Sequence, residues 1–206
     1  MMAMFACWQV NASEYSDINY IEKYGRLKLV GNQLSDANGK AVQLKGWSTF
    51  GLVWASHCNN EAAFKRMKDW GANIVRIAMY VASSEEGWGK NYGHLETVKN
   101  MIDWAANQGI YCLVDWHILK PGDPLSDTYM KIHGKDNAPA FFFEEITKHV
   151  KQNNYIHVLY EICNEPNGGV TWSSIKNYAE QVIPVIKANN PDAIIIVGTP
   201  NWSQTV

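Results

Sequence analysis

The run Val158-Leu159-Tyr160-Glu161-Ile162-Cys163-Asn164-Glu165-Pro166-Asn167 carries the strongest chemical signal in the chain. An apolar, β-branched and aromatic stretch gives way to an amide, a carboxylate and then a proline. Proline has no N–H to give to a strand ladder, so Pro166 marks a strand end. Glu165 therefore falls where a strand passes into a loop, the face on which α/β barrels do their chemistry. A carboxyl group there can serve as a catalytic acid or base. The plainer alternative is a solvated loop carboxylate. Glu161, four residues earlier, points by alternation to the sheet's inner face. A buried carboxylate needs a cation, and Arg76, at the end of an apolar run, is the candidate partner.

The elements that must hold these groups alternate in type. Segments 26–30 and 41–45 flank the turn-rich Asp36-Ala37-Asn38-Gly39 and predict a hairpin leading into a first strand. Helical spacing over 60–70 stops at Gly71, and helices over 94–108, 138–152 and 171–189 follow the same logic, the first closed by Gly109. Strands are expected over 73–80, 110–116, 157–163 and 193–198. Near-continuous apolar strands separated by helices mean a parallel sheet covered on both faces. An open doubly wound sheet and a barrel both fit that pattern. No GxGxxG follows any strand, which removes the dinucleotide-binding signature. Polar or aromatic groups at one strand end after another (Arg76 to Tyr80, Asp115 to His117, Asn164-Glu165, Asn201-Trp202) favour the barrel. The expected fold is α/β, a partial TIM (β/α)8 barrel of about five of eight strands with an N-terminal β-hairpin. Residues 1–26 are read as a lead segment and 27–206 as the barrel.

Bulk properties narrow the function. With 206 residues and a formal net charge of −2, the chain has no basic face for a phosphate backbone, so no nucleic-acid partner is expected. No apolar run reaches spanning length, and no membrane helix is expected. Residues 1–10 are mildly apolar but lack the basic start of a secretion signal. Cys7, Cys58, Cys112 and Cys163 show neither CxxC nor metal spacing, and Cys112 and Cys163 read as small buried thiols. His57, His94, His133, His149 and His157 have no metal spacing either, so neither metal nor cofactor is expected. The nine tryptophans include several in loop contexts, where flat rings can stack on sugars.

Four stretches, in order, carry a resemblance. They are Gly71-Ala72-Asn73-Ile74-Val75-Arg76-Ile77-Ala78-Met79-Tyr80, then 109–117 through Asp115-Trp116-His117, then Tyr160-Glu161-Ile162-Cys163-Asn164-Glu165-Pro166-Asn167-Gly168, then 194–204 with Gly198-Thr199-Pro200-Asn201-Trp202. Together they resemble glycoside hydrolase family 5, the cellulase family built on a TIM barrel, from about residue 27 to the end. The resemblance implies a secreted, extracellular endo-β-1,4-glucanase whose partner is a β-glucan polysaccharide or oligosaccharide. It makes Glu165 the acid/base of a retaining two-carboxylate reaction and Asn164 the amide that bonds the sugar 2-hydroxyl. It places Arg76 beneath the carboxylates, His117 along the sugar subsites, and Trp54, Tyr80 and Trp202 on the aromatic floor and walls of the cleft. The nucleophilic glutamate lies on a later strand of the family barrel, absent from this chain, so the 206 residues alone are expected to be inactive.

Glu161 does not fit the nucleophile's place. Four residues at about 3.3 Å each set it roughly 13 Å from Glu165, whereas retaining pairs lie about 5–5.5 Å apart. One departure from the family pattern is Ser48-Thr49-Phe50-Gly51, with Phe50 where relatives often carry histidine, which removes one sugar hydrogen bond. Trp47, Trp70 and Trp104 read as packing. The alternative from another class is a non-catalytic carbohydrate-binding remnant of such a barrel, keeping the aromatic stacking without bond cleavage.

Overall fold

The computed structural model describes residues 13–205; residues 1–12, with Cys7 and most of the apolar lead, lie outside the described part. Two short helices open it, α1 (Ser13–Ser16) and α2 (Tyr20–Tyr24). The Tyr20 N–H donates to the Gly109 carbonyl and the Tyr111 hydroxyl to the Gly25 carbonyl, which ties this segment to the sheet.

A hairpin follows, with its turn earlier than the sequence suggests. β1 (Lys28–Val30) pairs antiparallel with β2 (Gln33–Ser35) across Gly31-Asn32. Gly31 takes φ +62°, and glycine at the first central position is what a two-residue turn of this hand requires. The expected turn at 36–39 is a second reversal: Asp36 Oδ1 accepts from the Asn38 and Lys40 N–H groups, both at 2.9 Å. Beyond it, only a single bridge, Ser35 to Ala41, remains of the expected strand over 41–45.

The main sheet comprises β3 (Gly46–Ser48), β4 (Ile74–Tyr80), β5 (Tyr111–His117), β6 (Val158–Glu161) and β7 (Ile195–Ile196). All neighbours are parallel, and the spatial order is the sequence order. A doubly wound sheet reverses its order at a switch point; this one advances strand by strand, as a barrel wall does. The connecting helices are α3 (Glu61–Asp69), α4 (His94–Gln108), α6 (Ala138–Gln152) and α7 (Trp172–Asn189), with a short α5 (Asp127–Met130) in the β5–α6 connection. Side-chain caps start four of them: Asn60 for α3, Ser126 for α5, Asn137 for α6 and Thr171 for α7 each accept from a backbone N–H of the first turn.

The two sheet faces differ sharply. Outward residues Val75, Ile77, Met79, Val114, Trp116 and Tyr160 are fully buried in the apolar core. Inward positions on the same strands carry Arg76, Tyr80, Asp115, His117 and Glu161. The hydrophobic effect thus fixes the register, and the register gathers the polar groups on the inner face. Cys112 and Cys163 are buried free thiols, as expected, and Cys58 is exposed. Trp47 and Trp70 do not bury: they stand 51% and 63% exposed with ring centroids 5.7 Å apart, because Trp47 lies on the edge strand β3 and Trp70, just past α3, packs beside it. Among the described residues no helix is long and apolar enough to cross a membrane, and no cluster of His, Cys, Asp and Glu could hold a metal.

Candidate active site

Arg76 on β4 organises the inner face. Its Nε and Nη2 donate to the two carboxylate oxygens of Glu161 at 2.8 and 2.9 Å, a bidentate pair across two strands. Nη2 also donates to Asn164 Oδ1 at 2.8 Å and lies 2.8 Å from Asp115 Oδ2. The Glu161–Arg76 partnership expected from burial is therefore present. The extended spacing used to separate Glu161 from Glu165 does not continue, because β6 ends at Glu161 and Asn164 returns to the same guanidinium.

These bonds fix protons as well as positions. Arg76 has only donors, so the Asn164 oxygen faces it and the Asn164 amide nitrogen must point the other way. That nitrogen donates to the Ile118 carbonyl at 3.2 Å and approaches His117 Nε2 at 3.4 Å. His117 Nε2 is then an acceptor, and Nδ1 carries the hydrogen, which it gives to Asp115 Oδ2 at 2.6 Å. Asp115 is fully buried and its Oδ1 has no hydrogen-bond partner. Burial raises its pKa, and the Glu161 charge adds to this, while the hydrogen bond from His117 and the Arg76 charge oppose both. For Arg76, burial alone would lower the pKa. The hydrogen bond to Glu161 and the charges of Asp115, Glu161 and Glu165 outweigh it, and the net shift is upward.

Aromatic rings extend the site from His117. Tyr80 lies 4.1 Å from the His117 ring, Trp54 meets Tyr80 edge-on at 4.7 Å, and Phe50 lies 5.4 Å from Trp54. Phe50 and Trp54 are 66% and 46% exposed, so both rings stand at the surface. Burial raises the Tyr80 pKa, helped by the Glu85 and Asp115 charges.

Glu165 is exposed and lines a cleft of about 220 Å³ together with Glu85, Leu119, Lys120, Asn167 and Trp202. Asn167 holds the loop: its Nδ2 donates to the carbonyls of Leu119 and Glu165, both at 2.8 Å. Trp202 sits on a turn whose residues Asn201, Trp202 and Ser203 take φ of 57°, 55° and 60°. That left-handed region costs L-residues about 1–2 kcal/mol each. Its N–H donates to the Pro166 carbonyl at 2.9 Å, so the turn is anchored beside Glu165. Arg76, Asn164 and His117 thus form one bonded group, Tyr80 and Trp54 adjoin it, and Glu165 and Trp202 share the neighbouring cleft. Asp115, Glu85, Lys120 and Asn167 were not singled out by sequence. Asp115 had a signal, since it is a carboxylate inside an apolar strand two residues from His117.

Known proteins are similar to this chain in sequence and fold. The profile of Cellulase (glycosyl hydrolase family 5) covers residues 35–206. Endoglucanase E-5 of Thermobifida fusca is 45% identical over 89% of this chain and 37% of its own length. An endoglucanase of Clostridium saccharobutylicum is 44% identical over 88% of the chain and 39% of its own. The solved catalytic domain of a T. fusca endoglucanase superposes with a TM-score of 0.81 at 42% identity, covering 90% of this chain and 57% of that domain. A variant of that domain is known in complex with cellotetraose. The chain thus spans about two fifths of the length of these curated relatives and somewhat over half of the solved domain. With five parallel strands in barrel order and a family match over most of its length, the chain belongs to the cellulase family, glycosyl hydrolase family 5.

Proposed function

We propose that this chain contributes the acid/base half of a retaining endoglucanase site that cleaves β-1,4-linked glucan. The observation that carries the reading is Glu165: an exposed carboxyl group at the carboxyl end of a barrel strand, in a cleft with an exposed tryptophan and next to the Arg76–Asn164–His117 group. Glu165 protonates the departing glycosidic oxygen and then deprotonates the incoming water. In this reading Asn164, whose oxygen Arg76 holds, exchanges its long 3.4 Å contact with His117 Nε2 for a hydrogen bond to the sugar 2-hydroxyl. Trp54, Tyr80 and Trp202 stack on sugar faces, and Phe50 lengthens the aromatic row.

Retention requires a second carboxylate about 5–5.5 Å from the first. Glu161 is committed to both nitrogens of Arg76 and does not serve. The nucleophile in this reading is a glutamate from the barrel strands that complete the wall. A polymeric glucan is met outside the cell, which fits the extracellular location that the family resemblance implies.

The test is glucan hydrolysis by the longest open reading frame carrying this sequence, compared with its Glu165→Gln variant. Release of reducing ends should fall by about 10²–10⁴-fold in the variant, and the first-formed product should keep the β configuration by NMR. Undiminished turnover in Glu165→Gln, or an α product, contradicts the reading. Glucan binding with no turnover in the parent protein would favour the non-catalytic carbohydrate-binding alternative.

A further inference from the structure

Among the described residues no hydrogen bond or ion pair holds the Glu165 carboxyl group, and its side chain is exposed. Where that group stands is therefore set by the backbone beneath it. The backbone of 165–167 is held from two sides. On one, the Trp202 N–H donates to the Pro166 carbonyl at 2.9 Å. On the other, the Asn167 amide nitrogen sits between the carbonyl oxygens of Glu165 and Leu119, 2.8 Å from each. The Asn167 backbone N–H adds a bond to the Gly122 carbonyl at 3.3 Å.

Two carbonyl oxygens converging on one atom need two donors there. A primary amide supplies both, a hydroxyl one and a carboxylate none. Both amide hydrogens of Asn167 are spent on these carbonyls, so its nitrogen has none to offer a sugar, although the residue lines the cleft. The joint is packed without slack: a Cβ on Gly122 would lie 2.4 Å from the Asn167 backbone nitrogen and 2.5 Å from its Cγ. Immediately beyond, Gly168 and Gly169 take φ of 70° and 85°, with nothing within 4 Å of where a Cβ would stand. No side chains pack there, so on this side the placement of Glu165 rests on Asn167.

We propose that Asn167 is a positioning residue for the acid/base: by tying the Glu165 carbonyl to the loop after β5, it sets the Glu165 carboxyl group within hydrogen-bond reach of the departing glycosidic oxygen. Proton transfer requires that reach, about 2.6–3.2 Å between heavy atoms. The inference rests on the glucanase reading above and adds the residue that aims its acid.

The experiment is steady-state kinetics with the longest open reading frame and its Asn167→Ala, Asn167→Asp, Gly122→Ala and Glu165→Ala variants. Two substrates are compared: cellotetraose, and a 2,4-dinitrophenyl cellobioside whose leaving group departs without a proton. Asn167→Ala should lower kcat on cellotetraose about 10–100-fold, the scale of an ångström-sized misplacement, with KM within about two-fold. On the dinitrophenyl substrate kcat/KM, which reports the first step, should stay within about three-fold. Asn167→Asp keeps the shape without the donors and should lose at least as much as Asn167→Ala. Gly122→Ala presses on the same joint from the other loop and should show the same split between substrates, which keeps the test decisive if Asn167→Ala does not fold. Equal losses on both substrates mark a merely structural role and overturn the proposal. A raised KM with kcat kept, or full activity in Asn167→Asp, overturns it too. A split in Glu165→Ala with none in the Asn167 and Gly122 variants removes this inference alone. No split in Glu165→Ala removes the acid reading, and this inference with it.

Discussion

One guanidinium on the inner face serves two carboxylates and an amide. Arg76 bonds Glu161 in bidentate fashion, fixes the orientation of the Asn164 amide and faces Asp115, with only 24% of its own side chain exposed. A single cation cannot fully compensate two buried anions, which is why Asp115 also takes a hydrogen bond from His117. Removing the cation leaves two uncompensated buried charges, a change worth about 3–5 kcal/mol. Arg76→Met should therefore lower the unfolding free energy by that amount in urea titrations. It should also release Asn164 and depress turnover. A variant as stable as the parent would show that the network is not a structural keystone. His157 sets a different residue-scale expectation. It is 1% exposed, and burial lowers its pKa from 6.5 to about 4, against a backbone hydrogen bond to the Ile102 carbonyl. The folded state thus binds this proton more weakly than the unfolded one. Stability is fully present above about pH 6.5 and is lost as the pH falls towards 4, by about 3 kcal/mol. His157→Gln, which keeps a donor for Ile102, should flatten that part of the stability–pH curve. An unchanged slope would refute the assignment.

Loops beyond the strand ends hold Glu165 and Trp202, and close backbone contacts fix them. A Cβ on Gly198 would lie 2.1 Å from the Asn164 carbonyl oxygen, so the chain beyond β7 can approach the Asn164–Glu165 loop only with glycine there. Gly198→Ala should cost about 1–3 kcal/mol through this overpacking and lower kcat by displacing Asn164 and Glu165. A variant matching the parent in denaturant midpoint and kcat would disprove the tight approach. The same loops show which elements could be read from sequence. The helices at 94–108 and 138–152 were legible to the residue, because Gly109 supplies a left-handed stop and Asn137 a side-chain cap. The Pro166 stop correctly located the Glu165 loop. The hairpin turn lies earlier than composition suggests, because Asp36–Gly39 closes its own reversal through the Asp36 side chain while Gly31, with its positive φ, makes the tighter two-residue turn. Glu85 and Lys120 were not legible at all: they lie in irregular segments with no periodicity, and only the three-dimensional path of the chain sets them beside Glu165. The partnership of Asp115 with Arg76 and His117 is likewise a matter of cross-strand geometry.

On the scale of the molecule, five strands advance round a barrel wall with β3 and β7 at its edges. Trp47, Trp70 and Ile196 stand exposed near those edges, and a groove of about 630 Å³ opens between the hairpin and the β7 region. Unpaired edges and exposed apolar rings favour association. The 206-residue polypeptide expressed alone should therefore aggregate or melt broadly, while the longest reading frame melts cooperatively without aggregating. A sharp two-state melt of a soluble 206-residue monomer would count against a wall that needs further strands. The central claim concerns the proton that Glu165 gives to a departing sugar, and leaving-group dependence tests it most directly. In the longest reading frame, Glu165→Ala should lose most of its activity on cellotetraose yet keep the first step on a 2,4-dinitrophenyl cellobioside, whose leaving group needs no proton. Equal losses on both substrates would contradict the assignment of Glu165 as the acid.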